Sequence, residues 1–120
     1  MILVDTSIWV DHLRRGDAGL SALLEATDVA VHPFVVGELA CGSLRRQSDV
    51  VRLLSALPQV TTATHEEVMH FIDAHRLGGR GIGYVDVHVL ASASIDGIRV
   101  WTRDKALASQ AASLGLAFET

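Results

Sequence analysis

The 120-residue chain has a single cysteine, Cys41, so no intramolecular disulfide can form and nothing points to an oxidising compartment. No apolar run approaches the roughly 20 residues that a membrane-spanning helix needs. The N-terminus lacks the basic segment and long apolar stretch of a secretory leader. Internal repeats, low-complexity segments and linkers are also missing. Together these absences predict one globular domain over residues 1–120, cytoplasmic and without a membrane partner, large enough to bury roughly two-thirds of its unfolded surface.

Positive charge is scarce as well. Ten Lys plus Arg face fourteen Asp plus Glu, a net charge of −4, which excludes a whole-surface electrostatic grip on nucleic acid. Nine of the ten cations are arginines, the residue suited to phosphate or carboxylate recognition. Any nucleic-acid contact is therefore expected to be local.

What is present is an alternation of strands and helices. MILV opens as a continuous apolar run typical of a strand buried on both faces. Thr6 and Ser7 are placed to cap a helix carrying Ile8, Trp9, Val10 and Leu13, which Gly16-Asp17 ends. A second helix runs through Leu20, Leu23 and Leu24. DVAVH (28–32) reads as the second strand, and Pro33 starts a helix extending through VVGELACGSL. A further amphipathic helix carries Val50 to Leu57 and stops at Pro58. QVTTA reads as a short strand and THEEVMHFIDAHRL as a helix, followed by the loop GGRGIG. YVDVHVLASASID is a helix apolar on nearly every side, expected to be sandwiched in the interior or at a subunit contact. IRVWT is a fourth strand, DKALASQAASLG the last helix, and LAF a terminal strand. This order predicts a parallel sheet covered by helices on both faces, with ligands beyond the carboxyl ends of its strands.

Four acids stand in apolar surroundings. Asp5 ends the first strand, Glu38 interrupts an otherwise apolar helix, Asp86 opens the buried helix, and Asp104 follows IRVWT. A lone carboxylate in such a setting is costly to bury without a partner. Gathered at one end of a sheet, the four would repel and their pKa values would rise. A hard divalent cation, Mg²⁺ or Mn²⁺, is the fitting counter-charge, and the chemistry such a site suits is phosphodiester hydrolysis. Each acid also has a purely structural reading: Asp5 and Asp104 as helix caps, Glu38 as a surface ion-pair residue, Asp86 as an acid at a helix N-terminus.

The segments DTS, GELACG, GIGYVDVHVLASA and WTRDKAL, in that order and covering essentially the whole chain, resemble a PIN-domain ribonuclease of the VapC toxin type. The resemblance implies a three-layer α/β/α sandwich around a central parallel sheet. It also implies Mg²⁺- or Mn²⁺-dependent endoribonuclease activity, a homodimer, and restraint by a cognate VapB-type antitoxin. Asp5, Glu38, Asp86 and Asp104 match the family's acidic quartet. Asp5 and Asp86 are then the first choices as direct ligands, with Glu38 and Asp104 holding a second ion or binding through water. Thr6, Ser7 and Thr102 match hydroxyls that orient such carboxylates. Arg80, Arg103 and Lys105 lie nearest the acids in sequence and are the candidates for holding RNA phosphates.

Other motifs carry less. The histidines of HEEVMH, His65 and His70, are five residues apart and miss the one-turn spacing of a zinc pair. Glu66, His70 and Asp73 share a face opposite Val68, Phe71 and Ile72, so that face is expected to be solvated. His88 points away from Asp86 on a helix and is read as packing or as a substrate contact. GGRGIG lacks the context of a dinucleotide fingerprint, so no nucleotide cofactor is inferred. Trp9 and Trp101 are read as core or dimer-contact residues, and Cys41 as a small buried hydrophobe. Two rival functions remain: a PIN domain that binds RNA or protein without cutting, and a phosphoacceptor signalling module. The latter would normally pair acids after the first strand and carry a late Lys-Pro, whereas Asp5 stands alone and Lys105 precedes Ala106.

Overall fold

The structure, a computed structural model, describes residues 1–119. Three parallel strands, β1 (Ile2–Val4), β2 (Val29–Ala30) and β3 (Arg99–Trp101), pair in the order β2-β1-β3. The apolar run at the N-terminus is the central strand, and Leu3 and Val4 are wholly buried. Register sets Val4 beside Trp101, so the carboxyl ends of β1 and β3 finish side by side. QVTTA and LAF, expected as strands, reduce to single parallel bridges, Val31 with Gln59 and Val100 with Ala117. Both lie at the outer edges of the sheet, where one missing neighbour leaves little to hold a longer ladder.

Seven helices surround this sheet among the described residues: α1 (Thr6–Arg15), α2 (Ala18–Glu25), α3 (Pro33–Cys41), α4 (Gln47–Ser55), α5 (His65–His75), α6 (Tyr84–Asp96) and α7 (Lys105–Ser113). The result is the expected α/β/α sandwich. Helix α6 buries every residue from Val87 to Ala93, the polar His88 and Ser92 included, in keeping with a helix apolar on nearly every side. Leu90 and Val89 join Leu3, Val4, Ile8, Trp9 and Leu107 in the main core. A satellite core of Ala63, Val68, Leu77, Val87 and Ala91 fixes α5 onto α6. Glu66, His70 and Asp73 are exposed, as their helical face predicts.

Local expectations needed revision at three places. Asp5, not Thr6 or Ser7, caps α1, accepting from the Ser7 N–H. Helix α3 stops at Cys41, where Gly42 turns the chain, instead of continuing to Leu44. Cys41 itself is exposed. An apolar sequence with few polar marks does not reveal which side of a helix meets solvent, and Cys41 shares its exposure with Gly37, Glu38 and Ala40.

Candidate metal centre at the strand ends

The site begins with Asp5, a buried carboxylate at the tip of the central strand. Its backbone N–H continues the ladder to the Trp101 carbonyl at 2.9 Å, which fixes its position against β3. Three donors then converge on one oxygen. Thr102 Oγ1 donates to Asp5 Oδ2 at 2.7 Å, Ser7 Oγ at 2.9 Å and the Ser7 N–H at 3.4 Å. Both hydroxyl hydrogens are thereby committed, so the 3.3 Å approach of Ser7 Oγ to Thr102 Oγ1 is a contact and not a further bond. The two hydroxyls accept in turn: Ser7 Oγ from the Arg103 N–H, and Thr102 Oγ1 from the Asp104 N–H, each at 3.0 Å. Strand tip, α1 and the turn into α7 are thus tied by one directed network.

The other acids show the same division of labour between their oxygens. Asp104 caps α7 with Oδ1, which accepts from the Leu107 N–H at 2.9 Å. Glu38 accepts from Thr6 Oγ1 on Oε1 at 2.8 Å. Among the described residues, Asp5 Oδ1, Asp104 Oδ2 and Glu38 Oε2 have no hydrogen-bond partner, so each carboxylate is held by one oxygen and offers the other. Glu38 is exposed, not buried; the Thr6 hydroxyl supplies the polar partner that its apolar helix does not.

Asp86, in the first turn of α6, joins these three electrostatically. Its carboxyl is pushed up to about 6, first by burial and then by the negative charge of Asp5, Asp104 and Glu38 in that order, while a hydrogen bond from the Gly83 backbone pulls the other way. The fold therefore brings all four acids into one field. They do not close tightly: among the described residues no group of three or more Asp, Glu, His or Cys surrounds a point that an ion could occupy. The donor set nonetheless suits Mg²⁺ or Mn²⁺, all-oxygen and under-neutralised, because Mg²⁺ usually keeps several waters beside one or two carboxylates.

The cations are distributed unevenly. Arg80 and Lys105 are exposed and make no ion pair among the described residues; Arg80 Nε donates to the Arg76 carbonyl at 3.3 Å. Arg103 is committed elsewhere, with Nη1 2.8 Å from Asp11 Oδ2 and Nη2 2.6 Å from Asp17 Oδ2. Asp11 and Asp17 have no sequence signal that links them to the site. They become visible only when residues 86 and 92 positions apart are brought together. His88 is buried and packs against Phe34, with Nε2 3.1 Å from the Tyr84 hydroxyl.

Residues 2–112 match the PIN domain. The chain is 47% identical over 118 residues to Ribonuclease VapC32 of Mycobacterium tuberculosis, covering 98% of this chain and 95% of that protein. Its fold is similar to that in a toxin–antitoxin complex from Klebsiella pneumoniae, with a TM-score of 0.66, 20% identity and 87% of each chain covered. It is also similar to FitAcB from Neisseria gonorrhoeae, with a TM-score of 0.63, 21% identity, and 93% of this chain and 94% of that chain covered.

Proposed function

This chain belongs to the PIN-domain family, and from that premise we propose that it is a divalent-metal-dependent endoribonuclease acting as the toxin of a toxin–antitoxin pair. The observation that carries the reading is Asp86: a carboxyl raised to about 6 by burial and by three further acids marks a place where positive charge is wanted. Asp5, Asp86, Glu38 and Asp104 would be the residues to hold Mg²⁺ or Mn²⁺, which would supply Lewis-acid chemistry for phosphodiester hydrolysis.

The chain's own residues do the orienting. Thr102 and Ser7 hold Asp5 by Oδ2, which leaves Oδ1 without a hydrogen-bond partner among the described residues. Thr6 does the same for Glu38 and the α7 N-terminus for Asp104. Such outer hydrogen bonds fix ligand direction before the cation arrives. Water adds to phosphorus, the P–O3′ bond breaks, and the leaving O3′ takes a proton, giving 5′-phosphate and 3′-hydroxyl ends. Arg80 and Lys105, exposed and without an ion pair among the described residues, are the candidates to hold RNA phosphates.

A cognate antitoxin of the VapB type and a second copy of the chain complete the assembly, in the cytoplasm. Between α5 and α6 lies a cavity of about 380 Å³ lined by Phe71, Ala91 and Ile95 together with the polar Glu66, Glu67, His70 and Ser94, the surface on which a second copy would have to seat. Met69 and Ile95 stand exposed on the same two helices. No helix of the described residues is long and apolar enough to cross a membrane.

One observation favours a second reading, a PIN domain that binds RNA or protein without cutting: among the described residues no three acids enclose a single point. The two separate in an assay of structured and single-stranded RNAs with Mn²⁺, comparing the wild type with Asp86→Asn. Cleavage products with 5′-phosphate ends that fall by more than about 100-fold in the variant support the nuclease. RNA binding without such products would leave only the second reading.

A further inference from the structure

Arg103 lies between two site residues in sequence, yet its side chain turns away from the acids. Its backbone N–H donates to Ser7 Oγ at 3.0 Å, on the inner side of the turn. Its guanidinium forks outward to Asp11 on α1 and to Asp17, the residue that caps α2. The fork lies over the Trp101 ring, with Cζ 5.7 Å from the ring centroid. Arg15 reaches the other oxygen of Asp11 at 3.2 Å, so the four groups sum to zero charge. A guanidinium neutralised in this way is a poor phosphate anchor and a good clamp.

The packing beneath it is equally close. A methyl group at Gly19, in the first turn of α2, would come within 3.2 Å of the Trp101 ring and 3.1 Å of Asp17 Oδ1. An alanine there would press the Asp17 carboxylate and the Trp101 ring aside by a few tenths of an ångström, at the point where Asp17 meets Arg103. The turn carrying Thr102 and Asp104 is thus gripped from outside by α1 and α2.

Resting on the metal-dependent reading above, we propose that Arg103 is a positioning residue: through Asp11 and Asp17 it anchors the Thr102–Asp104 turn, keeping Thr102 Oγ1 on Asp5 Oδ2 and Asp104 among the acids. It acts on the cation site without touching cation or RNA. Losing the clamp releases the turn, and the two amides it orders, Arg103 N–H on Ser7 and Asp104 N–H on Thr102, lose their partners.

The test compares wild type, Arg103→Ala, Arg103→Lys, Asp17→Asn and Gly19→Ala in three measurements: Mn²⁺ titration by calorimetry, RNA binding without metal at several salt concentrations, and amide hydrogen exchange. Arg103→Ala should weaken Mn²⁺ binding by about 10–100-fold and speed exchange at residues 103 and 104, with the salt slope of RNA binding unchanged. Asp17→Asn keeps a good helix cap but breaks half the fork, so it should weaken Mn²⁺ binding although it removes a negative charge. Arg103→Lys should recover only part, because one ammonium cannot span both carboxylates. Gly19→Ala leaves every charge in place and should reproduce part of the loss. A salt slope reduced by about one in Arg103→Ala, with Mn²⁺ affinity intact, would make Arg103 a phosphate contact and overturn the proposal. A wild type that takes up no Mn²⁺ would sink the metal reading itself. Exchange at residues 103 and 104 then decides alone whether Arg103 holds the turn, and unchanged exchange would overturn that too.

Discussion

Thr102 Oγ1 donates a 2.7 Å hydrogen bond to Asp5 Oδ2, joining residues 97 positions apart. The bond exists because β1 and β3 are neighbours in parallel register and end together, with Val4 opposite Trp101. A hydroxyl one residue beyond one strand therefore meets a carboxylate one residue beyond the other. Sheet topology is in this sense part of the site.

Replacing Thr102 by Val keeps the shape and removes the donor. Asp5 Oδ2 keeps only Ser7, and the Asp104 N–H loses its acceptor. Hydrogen bonds to charged groups contribute about 1.5–3 kcal/mol, so the metal-free protein should melt several degrees lower while retaining its fold. Mn²⁺ affinity should drop about 10–100-fold. Calorimetric titration beside a circular-dichroism melt checks both, and an unaltered Mn²⁺ affinity would show that Asp5 needs no such support.

Thr6→Val offers an internal comparison. Glu38 is exposed and is tethered only through this hydroxyl among the described residues, so freeing it costs little solvation. Stability should change by less than about 1 kcal/mol, and Mn²⁺ affinity should fall less than in Thr102→Val. The reverse ranking in the same titration would identify Glu38, not Asp5, as the dominant ligand.

Adding Mn²⁺ should raise the melting temperature by mass action, by an amount equivalent to about 2.7 kcal/mol at a hundred times the dissociation constant. Relief of repulsion among the four acids is part of that affinity. EDTA should reverse the rise, and Asp86→Asn should show little of it. A wild type whose melting ignores millimolar Mn²⁺ would mean that the acids repel one another without binding the ion unaided.

Much of this arrangement is legible in the residues themselves. An apolar run that ends on Asp5 and a helix apolar on nearly every side with Asp86 in its first turn are both conspicuous, because β1 and the Val87–Ala93 stretch of α6 are buried throughout. Glu38 is harder: PFVVGELAC is apolar around its whole circumference, so its sequence does not say which face is wet, and the face bearing Glu38 and Cys41 is the exposed one. The clamp on Arg103 is the least legible feature. Asp11 and Asp17 look like ordinary surface acids until α1, α2 and β3 are assembled, and an arginine beside a catalytic-looking Asp reads naturally as a phosphate ligand. Local chemistry marks the acids, whereas what orients them depends on tertiary contacts.

Two groups with opposed effects, Asp86 and His32, lead the pH dependence of the metal-free protein, and His88, whose imidazole is lowered by burial first and His65 second, acts on the same side as His32. Asp86 has its carboxyl raised from 3.8 to about 6, by burial first and the neighbouring acids second. Between those values the native state holds a proton that the unfolded chain has lost, so this group's contribution to stability is full below 3.8 and disappears as pH rises through 6. His32, wholly buried, has its imidazole pushed from 6.5 down to about 4, by burial first and His88 second. Between 4 and 6.5 it is the unfolded chain that binds the extra proton, so His32 costs stability as pH falls through that range. Each effect amounts to at most about 3 kcal/mol, and the one at Asp86 is trimmed by its partial exposure. The windows nearly coincide and the signs are opposite, so Asp86 and His32 should largely offset each other in the wild type between pH 4 and 6, leaving a dependence weaker than in either single variant. Asp86→Asn should unmask His32 and become steadily more stable as pH rises from 4 to 6.5. His32→Gln should unmask Asp86 and lose stability over the same rise. Urea melts of the three proteins at half-unit pH steps with a chelator present measure this directly, and three parallel profiles would refute the compensation.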